Sequence, residues 1–251
     1  IEPALFKDRN FSVGLVFIFI VGIILLATMT LLPPFMQGLM GYPVIDVGYL
    51  LAPRGVGTMF AMMLVGRLSG RVDVRILILL GLLLTSFSMW EMTLFNTDIS
   101  SWDIVRTGIV QGLGLGFIFV PLSTITFATL SPRYRNEGTA LFSLVRNIGS
   151  SIGISVVITY LAQRTQMNHE VFASYITPFN AGLQQGMGTA ALVTPKGLAM
   201  LNGEVTRQAS LLAYLQDFRL MMWVSLCAIP LVLLLKAPKR GGGKEALAIL
   251  E

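Results

Sequence analysis

Charge is what this sequence is shortest of. Only 12% of its 251 residues are Asp, Glu, Lys or Arg, against about 25% in an ordinary soluble domain. With 54% hydrophobic residues and a mean hydropathy of +0.74, that deficit excludes a water-soluble globular fold and indicates an integral membrane protein. A single cysteine, Cys227, excludes an intrachain disulfide framework. The one histidine, His169, stands alone in a polar stretch, so no metal site is expected. There is no nucleophile–base pair and no cluster of acids, so neither an enzyme nor a cofactor is implied. The net charge is +5 and the pI about 9.6. The basic residues, however, flank apolar segments and form no patch, which argues against nucleic acid as a partner.

What is present is a series of long apolar runs without the alternation of a β-barrel. A helix needs about 20 apolar residues to cross the ~30 Å hydrocarbon core. Segments near 11–36, 45–66, 76–95, 103–129, 138–161 and 218–236 meet that length. The expected fold is therefore all-α and membrane-integral, with five helices and short loops in 1–161, a long loop at 162–217, a sixth helix, and a tail at 237–251. Lys7 and Arg9 precede the first span, Arg67, Arg71 and Arg75 follow the second, and Arg133 and Arg135 follow the fourth. Lys236, Lys239, Arg240 and Lys244 follow the sixth, while 37–44 and 96–102 hold no lysine or arginine. The positive-inside rule then puts both ends of the segment in the cytoplasm and the 162–217 loop outside. Within that loop, 204–218 looks helical; the loop is either solvated with a short interfacial helix or a docking site for a partner. The opening "IEPALFKDRN" has neither methionine nor the apolar core of a secretory signal, so a longer parent polypeptide is expected.

Polar residues inside apolar spans are functional candidates, because a charge near the bilayer centre costs ~2.5–3.5 kcal/mol on insertion scales. "WDIVRTGIVQGLGLGFIFVP" (102–121) carries Arg106 and Gln111 beside a stripe of Gly108, Gly112 and Gly116. The stripe is a small-residue pattern for close helix packing. Arg106 and Gln111 lie off that stripe and are expected to face a water-lined cavity, with snorkelling of Arg106 as the alternative. Glu91 sits at matching depth and would pair with Arg106 or, unpaired, carry a proton. Arg146 lies mid-span with Gly149, Ser150 and Gly153 on its face, and Arg54 follows Pro53, where a kink is expected. Phe35, Gln37, Gln111 and Phe119 are the candidates for a substrate cavity, with core packing as the alternative for the phenylalanines.

Several stretches resemble the major facilitator superfamily. "GRLSGRVDVR" (66–75) is similar to its loop signature, in which Gly66, Arg71 and Arg75 match. Gly70 stands where aspartate is usual, Asp73 where glycine is usual, and Val74 where a basic residue is usual. The resemblance implies a gating loop, here with Gly66, Arg67, Gly70, Arg71, Asp73 and Arg75. "RTGIVQGLG" (106–114) resembles the fourth-helix signature, whose arginine is associated with proton coupling. "GYLLAPRGVG" (48–57), "GTALFSLVRNIGSSIG" (138–153) and "RQASLLAYLQDF" (207–218) resemble the carboxy-terminal half of fourteen-span drug:proton antiporters of the EmrB type. That likeness implies a half-bundle of two inverted three-helix repeats in a bacterial cytoplasmic (inner) membrane. It further implies proton-coupled efflux of amphipathic compounds by alternating access, with the first bundle supplied by a missing amino-terminal half. Its partners would be a small-molecule substrate, protons, the lipid bilayer and, in a Gram-negative cell, a periplasmic adaptor (membrane fusion) protein and an outer-membrane channel. A carrier of one metabolite or organic anion is the alternative; three intramembrane arginines against one glutamate suit an anion.

Overall fold

The computed structural model describes residues 2–69, 71–177 and 194–235. Among these, the helices are α1 (Arg9–Pro34), α2 (Val44–Leu68), α3 (Val74–Met92), α4 (Ser101–Ala128), α5 (Arg135–Ser174) and α6 (Pro195–Ala228). All six are long and apolar enough to cross a membrane. Their starts follow local chemistry, since the first N–H groups of a helix need outside acceptors. Asp8 accepts from the Phe11 N–H, Asp73 from Arg75, Ser100 from Trp102 and Thr194 from Gly197. α1 passes through Pro33 and Pro34 into a π-helical turn, Phe35–Leu39. Gly41, with φ of 74°, then turns the chain into α2.

Gly70, residues 178–193, and the tail with Lys236, Lys239, Arg240 and Lys244 lie outside the described residues. Elsewhere the ends of the molecule are well marked. At one end the Arg9 Nε donates to the Leu234 carbonyl at 3.0 Å, and the Thr129 hydroxyl donates to Asp8 at 2.9 Å. Alternation of the helices brings Arg67, Arg71, Arg75, Arg133 and Arg135 to this basic end. At the opposite end Tyr42 and Ser101 share a hydrogen bond of 2.8 Å between their hydroxyls.

The helices interleave. α1 packs along α5 and α4 packs along α2, so each three-helix unit embraces the second helix of the other. Glycine permits both contacts, and in matching ways. A Cβ added to Gly57 on α2 would lie 2.6 Å from the Ile109 carbonyl of α4, and one added to Gly149 on α5 would strike the Phe19 carbonyl of α1. In return, a Cβ on Gly112 would strike the Arg54 carbonyl, and one on Gly22 would lie 2.5 Å from the Arg146 carbonyl. Gly116 faces Ala61 and Gly153 faces Ile23, while Gly108 is looser, 3.8 Å from the Arg54 Cβ. α3 and α6 stand behind this layer and contact each other, with Ser86 and Ser225 hydrogen-bonded at 2.9 Å.

One expectation changes here. The 162–217 loop is largely helix: α5 continues to Ser174 and α6 starts at Pro195, not at 218. At about 1.5 Å per residue, the 40 residues of α5 run about 60 Å and the 34 of α6 about 50 Å. Both exceed the ~30 Å hydrocarbon core. They form an antiparallel hairpin beyond the end opposite the basic one, where Asn168 donates to the Ala209 carbonyl at 3.3 Å and His169 pairs with Asn202 at 3.0 Å. α2 continues as one helix through Pro53.

Candidate functional site

A concavity of about 770 Å³ opens on α1, α2, α4 and α5, and its wall is apolar apart from Thr58 and two arginines. Val21, Leu25, Leu51 and Leu115 supply the aliphatic part, and Met29, Met59, Met62 and Met63 a flexible thioether strip. The arginines are Arg54 on α2 and Arg146 on α5, and Phe119 on α4 lies with them. Among the described residues, neither α3 nor α6 contributes to this wall.

The two cations occupy equivalent places. Each sits on the second helix of its three-helix unit, with its carbonyl against a glycine of the first helix of the other unit, Gly112 or Gly22. The sequence carries the equivalence as R-x-x-G-[S/T]: "RGVGT" at 54–58 and "RNIGS" at 146–150. This short repeat was available in the sequence and is the signal that singles out Arg54 and Arg146 from Arg106. Arg54 is 8% exposed, and its Nη2 is buried without a hydrogen-bond partner. A buried donor left unpaired costs ~1–3 kcal/mol, more when charged. Arg146 is half-buried, with its guanidinium carbon 6.0 Å from the centre of the Phe119 ring. That geometry is a cation–π contact and keeps the cation turned toward the cavity.

The other candidates lie elsewhere. Arg106 and Gln111 do not share a cavity. Arg106 sits at the end opposite the basic one, bonded to Glu91 at 2.7 Å, with side-chain exposures of 53% and 11%. Together with Asp98 and Asp103 they border a separate hollow of about 610 Å³ at the α3–α4 connection. Gln111 is fully buried, its amide 3.9 Å from the Met89 sulfur on α3. Phe35 is also buried, packed against Phe95, Tyr214 and Phe218. Gln37 is exposed on the π-helical turn. Of the four proposed cavity residues, only Phe119 lines the cavity. Apolar runs and helical spacing placed these residues along the helices but could not say which neighbour each face meets.

Gly66 and Arg67 end α2, the Arg71 N–H bonds the Leu68 carbonyl at 2.9 Å, and Asp73 caps α3 two residues before Arg75. This turn lies at the basic end, away from the cavity.

One residue escaped the sequence reading. Asp217 on α6 is 0% exposed, and neither carboxyl oxygen has a hydrogen-bond partner. Its signal was lost because polar neighbours such as Gln216 put the start of the apolar run at 218.

Comparison with known proteins gives a consistent set. The family model described as Major Facilitator Superfamily matches residues 2–154. The fatty acid resistance protein FarB of Neisseria gonorrhoeae is 30% identical over 97% of this chain and 48% of its own length. The multidrug export protein EmrB of Escherichia coli (strain K12) is 24% identical over the same shares, 97% and 48%. The lincomycin resistance protein LmrB of Listeria innocua is 27% identical over 62% of this chain and 33% of its own length. The chain thus spans about half the length of the first two relatives.

Proposed function

The chain belongs to the major facilitator superfamily, and on that premise we propose that it forms the carboxy-terminal wall of a proton-driven exporter of amphipathic compounds that favours acidic head groups. The observation that carries this reading is Arg54, a buried guanidinium with an unpaired Nη2 on a side chain that lines a largely apolar cavity. A ligand carboxylate would supply the missing acceptor, as charge-assisted hydrogen bonds to guanidinium are among the stronger ones. Arg146 offers a second cationic contact, and the methionine strip adapts to hydrophobic bodies of differing shape. One relative is named for fatty acid resistance, which fits an apolar body with a carboxylate; the others are named for multidrug export and lincomycin resistance.

Because the chain covers about half of its relatives, the facing wall belongs to further helices of the full-length carrier. Alternating access would expose the cavity first to one side of the membrane and then to the other. On this reading the end where the arginines collect is cytoplasmic, in a bacterial inner membrane, as the positive-inside rule favours. The α5–α6 hairpin then projects outward, where an adaptor leading to an outer-membrane channel would dock.

The test uses the full-length carrier in a host without its own efflux pumps. Efflux of a long-chain fatty acid is compared with that of its methyl ester and of a lipophilic cationic dye, with and without an uncoupler. The expected result is uncoupler-sensitive efflux of the acid that falls tenfold or more in Arg54→Gln and in Arg146→Gln, with the ester unaffected. Equal loss of acid and ester would make the arginines structural. Efflux of the dye alone would remove the preference for acids, and efflux of one acid among many would indicate a dedicated carrier.

A further inference from the structure

We propose that Asp217 is a proton-binding site of the carrier, closed in this conformation by the π-helical end of α1. The proposal rests on the export reading above and gives the proton a place in this half of the molecule.

Asp217 lies inside α6, fully buried, with both carboxyl oxygens unpartnered. It is the one buried acid among the described residues. The elements packed on α6 are α1, α3 and α5, with the π-helical turn. α1 offers no titratable residue beyond Arg9 at the far end. α3 offers Glu91, which is bonded to Arg106, and Arg75 at the basic end. The antiparallel register set by Asn168 and Ala209 brings Tyr160 of α5 level with Asp217, and Arg164 stacks on that ring at 4.8 Å. Tyr214 stands one turn away on α6, and its ring is packed on Phe35. None of these groups donates to Asp217. An ionised carboxylate in that place would have lost its water without gaining a partner, at a cost of several kcal/mol or more. The neutral carboxylic acid avoids most of that cost, so the conformation described here is the proton-loaded one.

What packs on the rings flanking the acid is also what can move. Phe35 is the first residue of the π-helical turn, directly after Pro33 and Pro34. Its ring centre is 5.4 Å from that of Tyr214 and 6.1 Å from that of Phe218, the residues that flank Asp217 on the same face of α6. Arg207 of α6 holds the far end of the turn through the Leu39 carbonyl at 3.3 Å. Paired prolines and a π turn weaken the helical hydrogen-bond ladder, and bends concentrate at such places. Swinging this turn outward lifts Phe35 from Tyr214 and Phe218 and lets water reach the acid. There the acid equilibrates with outer water: the O–H bond breaks with the proton passing to water and the electron pair staying on the carboxylate, and it re-forms by the reverse step. The turn closes favourably only over the neutral acid, so this opening serves to load the proton from the outer side.

Two measurements on the purified full-length carrier decide this. Infrared spectroscopy at neutral pH should show the C=O stretch of a protonated carboxylic acid in wild type and its loss in Asp217→Asn. Phe35→Ala should hasten the deuterium shift of the same band. Absence of the band, or its persistence in Asp217→Asn, overturns the proposal. In proteoliposomes, Asp217→Asn should keep substrate exchange within about twofold but lose efflux driven by a pH gradient tenfold or more. Gradient-driven efflux at the wild-type rate, or equal loss of both activities, overturns it. Should the asparagine variant not accumulate, Asp217→Glu takes its place. Its driven efflux should persist with a displaced pH profile, and an unchanged profile overturns the proposal. A wild type that shows the infrared band yet moves no amphiphile would sink the export reading and still support the proton site.

Discussion

Arg54 and Arg106 are both arginines in membrane helices, and their surroundings separate them. Arg106 keeps half its side chain exposed and has Glu91 at 2.7 Å, whereas Arg54 is buried with a free Nη2. Half-exposed ion pairs contribute about 1 kcal/mol or less. Arg106→Ala should therefore lower the thermal midpoint of the purified carrier by no more than about 2–4 °C, as followed by scanning fluorimetry. Its efflux should stay within about twofold of wild type, in contrast to Arg54→Gln. A tenfold loss of efflux in Arg106→Ala at normal expression would return that residue to the transport mechanism. Position along the helix was legible from the sequence at this scale, because it follows from distance to the nearest loop. Partnership was not, since it depends on which faces of α3 and α4 meet.

Glycine governs the helix contacts, and the same two carbonyls receive them. Because the Arg54 and Arg146 carbonyls lie against Gly112 and Gly22, any side chain at those glycines must push α2 from α4 or α5 from α1. Gly112→Val and Gly22→Val should each cost about 1–3 kcal/mol by overpacking, read as lower melting temperatures in detergent. Gly48→Ala is the contrasting case, as nothing lies within 4 Å of its Cβ position. It should leave the melting temperature unchanged or raise it slightly, since alanine loses less backbone freedom than glycine in a helix. The α4 stripe of Gly108, Gly112 and Gly116 could be foreseen from four-residue spacing. The reciprocal role of Gly22 could not, because Gly14 and Gly22 stand eight residues apart in their apolar run without a four-residue stripe. Hydropathy likewise found the spans but not the α5–α6 hairpin, whose outer turns are polar and helical together.

For the whole molecule, the gathering of basic side chains at one end sets an expectation of sidedness. In intact cells, a cysteine placed at Asp98, with Cys227 replaced by serine, should react with a membrane-impermeant maleimide. A cysteine at Arg133 should react only after permeabilisation. The reverse pattern would invert the assigned orientation, and with it the outward direction of the α5–α6 hairpin. The arrangement also bears on what a bound ligand would look like. Arg54 and Arg146 are related by the internal repeat, yet one is buried with an unpaired Nη2 and the other is half-buried over the Phe119 ring, so the cavity presents two unlike cationic berths. On the proposed reading, a singly charged amphiphile would settle its head group on Arg54, and its density in an electron-microscopy map would show one head-group position. A dicarboxylate long enough to reach both guanidinium groups would be held at both ends, which makes it the better starting point for an inhibitor.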